Sequence, residues 1–269
     1  MSSATIPPIL LVGGGRMGAA MLAGWREQGL APSVVVDPAP AATALGGSGV
    51  TVVSGAEAIP ADFRPQAVVL AVKPQNAEAA LPLYARFGGP AVMLSIMAGR
   101  AIAGMRALLG GAAVVRAMPN TPAAVRQGIT VACAGSGVSE DQRGLCDTLL
   151  RAIGTVAWVQ DEGLLDAVTA VSGGGPAYVF LLAELLERAA IEQGIPPALA
   201  RQLGRQTVAG SGALLAASAQ DAAELRRAVT SPKGTTERAL AVLMAEDAWP
   251  RLVSEAIAAA TARSRELAG

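Results

Sequence analysis

A four-residue apolar run that ends in glycines constrains this chain more than any other feature. "ILLV", Ile9 to Val12, is followed by Gly13, Gly15 and Gly18 in the spacing G-x-G-x-x-G. An uninterrupted apolar run of this length reads as a strand buried on both faces, as in a parallel sheet. The following "MGAAMLAGWREQG" reads as a helix ending at Gly29. Glycine is abundant here, with 31 residues, so the spacing alone says little. The context says more: a strand before, a helix after, and Asp37 nineteen residues past Gly18. That combination is the dinucleotide fingerprint. Gly13 permits the tight turn, Gly15 lets a pyrophosphate approach the backbone, and Gly18 lets the helix pack on the strand. The helix start then offers free N–H groups and a positive dipole end to phosphates.

The pattern repeats along the first half. "SVVVD" (Ser33–Asp37), "QAVVLAVKP" ending at Lys73-Pro74, "AVMLSI", "AVVRAMPNTP" and "GITVACAG" read as strands. Helices are expected between Pro74 and Phe87, near Ala101 to Leu109, and from Ser139 to Ala152. Alternating strands and helices give an α/β fold. The expected architecture is a Rossmann-type doubly wound sheet followed by an all-α C-terminal dimerisation domain, divided as residues 1–160 and 161–269. Asp37 has two readings: an acceptor for a ribose 2′-hydroxyl that disfavours a 2′-phosphate, or an Asp opening a turn before Pro38. The loops "VKPQ", "IMAG" and "MPNTP" follow strand ends, where an open sheet binds its ligand. Lys73, Met97 to Gly99, and Asn120 to Pro122 would converge there; ordinary turn chemistry is the alternative.

The second half shows no strand pattern from Leu164 on. "PAYVFLLAELLERAAIEQG" is apolar round most of its circumference, with Glu184 and Arg188 spaced for an ion pair. Such a helix is buried, and the small domain that carries it cannot easily bury it alone. We therefore expect a subunit interface. Further helices are expected from Pro197, over "AELRRAVTS", "TTERALAVLMAED" and "AWPRLVSEAIAAATARSREL". Between two of them lies "TSPKGTTERAL", Thr230 to Leu240. Ser231 and Pro232 suit the N-cap and first position of a helix. Gly234 is a poor helix former but lets a ligand touch the backbone. Cap and small-anion site are both open readings.

Composition narrows the chemistry. Apolar residues make up 52% of the chain and aromatic residues 3%, so Ala, Val, Leu and Ile must build the core. The net charge is zero and the basic residues are scattered, which offers no footprint for nucleic acid. There is no histidine, which removes the commonest general base, the commonest metal ligand and any Ser-His triad. No metal site is expected. Cys133 and Cys146 fit no zinc spacing and read as buried thiols. "MSSATIPPILLVGGG" lacks the basic region and long apolar run of a leader. No uncharged apolar stretch approaches the roughly 18 residues of a membrane span, so a cytoplasmic location is expected.

Several segments together resemble pyrroline-5-carboxylate reductases, which make proline in its last biosynthetic step. They are "VGGGRMGAAMLAG", "AVKPQ", "AMPNTPA", "DAVTAVSGGGPAYVF" and "AVTSPKGTTERAL", in family order over nearly the whole chain. The resemblance implies NADPH or NADH as cofactor, 1-pyrroline-5-carboxylate as substrate, and a homodimer or a higher homo-oligomer built from dimers. It places Gly13, Gly15, Arg16, Met17 and Gly18 on the pyrophosphate. It places Ala71, Val72, Lys73 and Pro74, with Ala98 and Gly99, on the nicotinamide side, and Asn120 at the cofactor–substrate junction. Ser231, Gly234, Thr235 and Thr236 would grip the pyrroline carboxylate and ring nitrogen, Thr236 being best placed to hydrogen-bond or protonate that nitrogen. A protonated cyclic imine is already electrophilic, so hydride transfer needs positioning more than a strong acid or base.

The chain departs from the family at three positions. Lys233 stands where Gly is usual, Gly174 where Ser is usual, and Arg227 where an acid is usual. The family mostly prefers NADPH, whereas Asp37 points to NADH. A reductase of the 6-phosphogluconate-dehydrogenase type, such as a hydroxyacid dehydrogenase, would carry a catalytic Lys just after the glycine-rich helix start. "SGGGPAYVFLLAELL" has none. A non-catalytic nucleotide-binding protein is the other rival.

Overall fold

The computed structural model describes residues 6–47 and 49–268. The opening residues of the segment read for a leader, 1–5, lie outside them.

The chain runs β1 (Ile9–Val12), α1 (Arg16–Glu27), β2 (Ser33–Val36), β3 (Val50–Val53), β4 (Ala67–Leu70), α2 (Ala77–Ala80) and β5 (Val92–Ser95). It continues with α3 (Ile102–Leu108), β6 (Val114–Met118), β7 (Gly128–Ala134), α4 (Glu140–Arg151), β8 (Gly154–Val159) and α5 (Leu164–Val168). Among the described residues the strands form one eight-stranded sheet, β3-β2-β1-β4-β5-β6-β7-β8. All neighbours are parallel except β6 and β7. Leu10 pairs with Val34 on one side and with Val68 on the other. Strand order therefore reverses between β1 and β4, which opens a crevice beyond their carboxyl ends.

Alternate residues of the central strands feed two cores. Leu10, Val12, Val34, Val36, Val68 and Leu70 face one layer; Ile9, Leu11, Val35, Ala67 and Val69 face the other. Burial on both faces explains the unbroken apolar runs. The sequence reading missed β3 and β8. Both are edge strands with partly exposed residues, so neither shows a continuous apolar run. The helix expected up to Phe87 is broken: α2 is four residues long and tightens into a 3₁₀ stretch, Leu81–Phe87. Pro82 lacks the N–H that an α-helix would use there.

The remaining helices are α6 (Gly175–Glu192), α7 (Pro197–Ala217), α8 (Ala222–Ala228), α9 (Thr235–Leu243) and α10 (Trp249–Ala268). Packing divides the chain differently from the expected 160/161 boundary. One compact unit runs up to Gly173 and takes in the chain again from Ala260; the other is Gly174–Ala259. Leu165 is fully buried in the core of the first unit, which carries that boundary past α5.

Within the second unit, α6 and α7 touch at Gly204, where an added Cβ would come within 2.8 Å of the Ala183 carbonyl oxygen. The two helices pack along each other, but among the described residues nothing covers their remaining faces. No residue of α6 is buried, and Phe180 is 67% exposed. As expected of a helix that its own domain cannot bury, its apolar faces lie open in the single chain. The Glu184–Arg188 pair is not made; Arg188 lies 3.9 Å from Glu192 instead. By length and composition alone, the helical run Leu164–Glu192 is apolar enough to cross a membrane.

Candidate functional site

The glycine loop leaves β1 at the crevice. Gly13 has φ +102°, and a Cβ there would meet the Ala71 carbonyl oxygen at 2.6 Å. Only glycine fits that turn against the end of β4. A Cβ on Gly18 would lie 2.2 Å from the Gly13 oxygen, so α1 packs directly on the loop. Gly15 differs from both. It is the N-cap of α1, makes no side-chain cap, and has nothing within 4 Å of an added Cβ. The first N–H groups of α1 have no intrahelical partner, and nothing crowds the Gly15 position beside them. Such a start suits the negative charge of a pyrophosphate. Arg16 follows as the first helical residue and is exposed.

Asp37 ends β2 beside this loop. Its Oδ2 accepts the Gly14 N–H at 2.7 Å, and its Oδ1 accepts the Ala39 N–H at 2.8 Å. The turn reading of Asp37 is therefore correct. The carboxylate also ties the glycine loop down, which the sequence did not suggest.

A groove beside the loop brings together Met17, Ala71, Val72 and Asn120 from the expected set. Ile96, Met118, Pro119, Thr121 and Gly173 line it too. The sequence reading expected Thr121 at this crevice within Asn120 to Pro122, and gave no role to Ile96, Met118, Pro119 or Gly173. Apolar strand-end residues carry no signal that separates a groove wall from a core. Asn120 is 9% exposed, and its Oδ1 accepts the Ile129 N–H at 2.9 Å. Its side-chain oxygen thus holds β7, leaving its amide N–H groups for other partners.

Lys73, Pro74, Ala98 and Gly99 do not line this groove. Lys73 is exposed before a 3₁₀ turn, Pro74–Asn76, and the Pro74 carbonyl accepts Arg100 Nε at 3.1 Å. Gly99, at φ +63°, turns the chain after β5. Beneath the sheet edge, Arg116 Nη1 donates to Glu162 Oε1 at 2.9 Å, and the same oxygen accepts the Ile102 N–H at 2.8 Å. This pair caps α3. Cys133 and Cys146 are free and buried. Burial, with Glu162 nearby, raises the Cys133 thiol pKa, and burial pushes Cys146 up to about 12.

In the second unit, the segment Ser231 to Thr236 corrects the expected cap. Ser231 and Pro232 are not the N-cap and first residue of a helix. They open a turn in which the Gly234 N–H donates to the Ser231 carbonyl at 3.0 Å. Gly234 is the N-cap of α9, without a side-chain cap, and Thr235 and Thr236 are its first residues. Lys233 has φ +61°. With Pro232 before it, this is the third position of a type II turn, where glycine is preferred. That conformation accounts for the glycine usual in the family at this position. Ser231 and Thr235 are exposed, Thr236 is half-buried, and none of the three hydroxyls has a hydrogen-bond partner within the described residues.

The comparisons fit this arrangement. A family model for pyrroline-5-carboxylate reductase dimerisation matches residues 162–267. A second, for NADP oxidoreductase coenzyme F420-dependent, matches residues 8–99. The chain is 41% identical to the pyrroline-5-carboxylate reductase of Pseudomonas aeruginosa over 97% of either chain. It is 35% identical to that of Haemophilus influenzae, covering 96% of this chain and 97% of the other. Among solved structures, a pyrroline-5-carboxylate reductase from Coxiella burnetii superposes with a TM-score of 0.89 at 32% identity, over 97% of this chain and 98% of that one. The Plasmodium falciparum pyrroline carboxylate reductase with NADP bound gives a TM-score of 0.82 at 25% identity, over 97% and 98%. A glycine cradle at a reversed strand order, an open-faced helical unit and full-length likeness agree: the chain belongs to the pyrroline-5-carboxylate reductase family.

Proposed function

We propose that this chain reduces 1-pyrroline-5-carboxylate to L-proline with NADPH or NADH. One observation carries the reading: the uncapped, open start of α1 at Gly15, beside a groove floored by Ala71, Val72 and Asn120. A dinucleotide needs that cradle, and an open Gly15 leaves room for it. The bound cofactor supplies the hydride.

The chain's own residues do the rest. Gly13, Gly15, Arg16, Met17 and Gly18 hold the pyrophosphate. Ala71, Val72, Lys73, Pro74, Ala98 and Gly99 bound the nicotinamide end, with Asn120 next to the substrate. The N–H groups at the start of α9 take the substrate carboxylate, helped by Ser231, Gly234 and Thr235. The unpartnered Thr236 hydroxyl bonds the ring nitrogen and keeps its proton in place. No histidine is needed, because the protonated imine is already electrophilic. Asp37 puts a negative charge where a 2′-phosphate would lie, which favours NADH, while the family mostly prefers NADPH; either cofactor serves.

Residues 161–269 serve dimerisation and substrate binding; α6 and α7 form the dimer contact, and larger assemblies are built from that dimer. The exposed apolar face of α6 meets a second copy rather than lipid. Neither membrane nor nucleic acid is a partner. Free buried thiols agree with a reducing, cytoplasmic location.

The test follows oxidation of NADH and of NADPH by the purified protein, with and without 1-pyrroline-5-carboxylate. Imine-dependent oxidation that yields proline supports the reading. No turnover with either cofactor sinks it.

A further inference from the structure

We propose that the last turns of α10 brace the loop after β5, making Ser264 and Asp166 positioning residues for the nicotinamide end of the cofactor. The inference rests on the proposed cofactor role of Ala98 and Gly99. From Ala260 on, α10 packs with the first unit. Two separate contacts hold it there.

The first is a buried hydrogen bond. The Ser264 hydroxyl donates to Asp166 Oδ1 at 2.7 Å, with Ser264 6% and Asp166 8% exposed. A short bond from hydroxyl to carboxylate is among the stronger kinds. Losing it would leave a buried acceptor poorly satisfied, so it fixes the position of α10 tightly.

The second contact lies three residues further on. A Cβ built on Gly99 would meet Leu267 Cβ and the Leu267 carbonyl oxygen, each at 3.2 Å. Gly99 is buried and holds φ +63°. The conformation favours glycine, and the helix lies close enough that any Cβ there would have to push it back by a few tenths of an ångström. On its other side the loop is anchored by Met97, 2% exposed in the core, whose N–H donates to Ser95 Oγ at 3.3 Å. The segment Met97–Gly99 is therefore clamped between the core and α10. Ile96, directly before it, lines the groove beside the glycine loop. Moving α10 would release the segment from one side and shift Ile96 and Ala98 at the groove's edge. The glycine loop, which holds the pyrophosphate, would stay in place.

The test uses the full chain and two readouts. Amide hydrogen exchange is followed over Met97 to Arg100, and dissociation constants are measured for NADH and for ADP-ribose, which lacks the nicotinamide. Ser264→Ala should speed exchange in that segment and weaken NADH roughly three- to tenfold, with ADP-ribose unchanged. Ser264→Thr, which keeps the hydroxyl, should restore both. Leu267→Gly removes the Leu267 Cβ from beside Gly99 while its carbonyl contact stays, and it loosens the last turn of α10; it should act in the same direction as Ser264→Ala but more weakly, which covers the case that the buried substitution prevents folding. Unchanged exchange and NADH affinity in these variants overturn the brace. So does an equal loss of NADH and ADP-ribose, which would mark general damage to the unit. A wild-type protein that binds neither nucleotide refutes the cofactor reading, while the exchange data still decide whether α10 clamps the loop.

Discussion

The Asp37 carboxylate holds the Gly14 N–H at 2.7 Å while its other oxygen takes the Ala39 N–H at 2.8 Å. One side chain thus fixes the glycine loop and the turn after β2 together. It leaves the carboxylate in place beside the expected ribose, with its charge opposed to a 2′-phosphate. Asp37→Ser removes the charge and weakens the hold on Gly14. The ratio of kcat/KM for NADPH over NADH should rise. The absolute value with NADH should fall, since a hydrogen bond to a charged group contributes about 1.5–3 kcal/mol. Steady-state kinetics with both cofactors checks this; an unmoved ratio would leave Asp37 with its loop and turn roles alone.

Thr236 is half-buried at the start of α9, and its hydroxyl has no partner within the described residues. If it bonds the protonated ring nitrogen, Thr236→Ala loses about 1.5–3 kcal/mol of transition-state binding. That is roughly 10- to 150-fold in kcat/KM. Thr236→Ser should retain most of the activity. Wild-type kcat/KM in the Ala variant would remove Thr236 from the site.

The central sheet was legible because β1, β2, β4 and β5 are buried on both faces and so spell unbroken apolar runs. β3 and β8 were not, because edge strands carry exposed residues that blur the pattern. At the candidate site, glycines announced themselves through backbone geometry: Gly13 and Gly18 contact backbone atoms at distances no other residue allows. Ile96 and Met118 line the groove without any such mark. The start of α9 was misplaced for a definite reason. Ser-Pro suits both a helix start and a turn, and only the φ of Lys233 separates the two.

The proposed dimer contact uses the open faces of α6. Phe180 is the probe of choice, because it is 67% exposed in the single chain. Phe180→Asp should leave the fold intact and place an unpaired charge in the interface, costing several kcal/mol of association. Sedimentation at micromolar protein should show monomer, with circular dichroism unchanged. A dimer of normal stability would put the interface elsewhere.

Cys146 is fully buried, and desolvation raises its pKa from 9.0 to about 12. The folded state therefore holds the thiol proton more tightly than the unfolded state does. This contribution is fully present below the unfolded pKa near 9.0 and is lost as pH rises toward about 12. At about 1.4 kcal/mol per pKa unit it reaches at most roughly 4 kcal/mol. Denaturant unfolding should show stability falling above the lower value, and Cys146→Ala should flatten that fall while lowering stability at neutral pH through the cavity it leaves. A thiol reagent at neutral pH should label Cys146 only on unfolding; rapid labelling of the native protein would contradict its burial.

Lys233 combines a backbone penalty with a charge at the proposed carboxylate site. Its φ is +61°, and its N–H donates to Glu237 Oε2 at 2.9 Å, which keeps the turn closed ahead of α9. The residue directly precedes the N-cap Gly234, so its charge sits at the positive end of α9, where a bound anion would offset it. The conformation does count against it: a left-handed non-glycine residue costs about 1 kcal/mol. Lys233→Gly should thus stabilise the protein by at most about 0.6 kcal/mol, after the extra freedom of unfolded glycine, about 0.4–1 kcal/mol, is subtracted. It should also raise KM for the imine roughly two- to fivefold with kcat unchanged, since an exposed ion pair contributes about 0.2–1 kcal/mol and is felt equally in ground and transition states. Lys233→Gln separates the two effects: it loses the charge but keeps the strained turn, so KM should rise without a gain in stability. The wild-type KM should climb with salt more steeply than that of either variant. Matching KM values and salt slopes in all three proteins would leave Lys233 as a solvated charge on a strained turn.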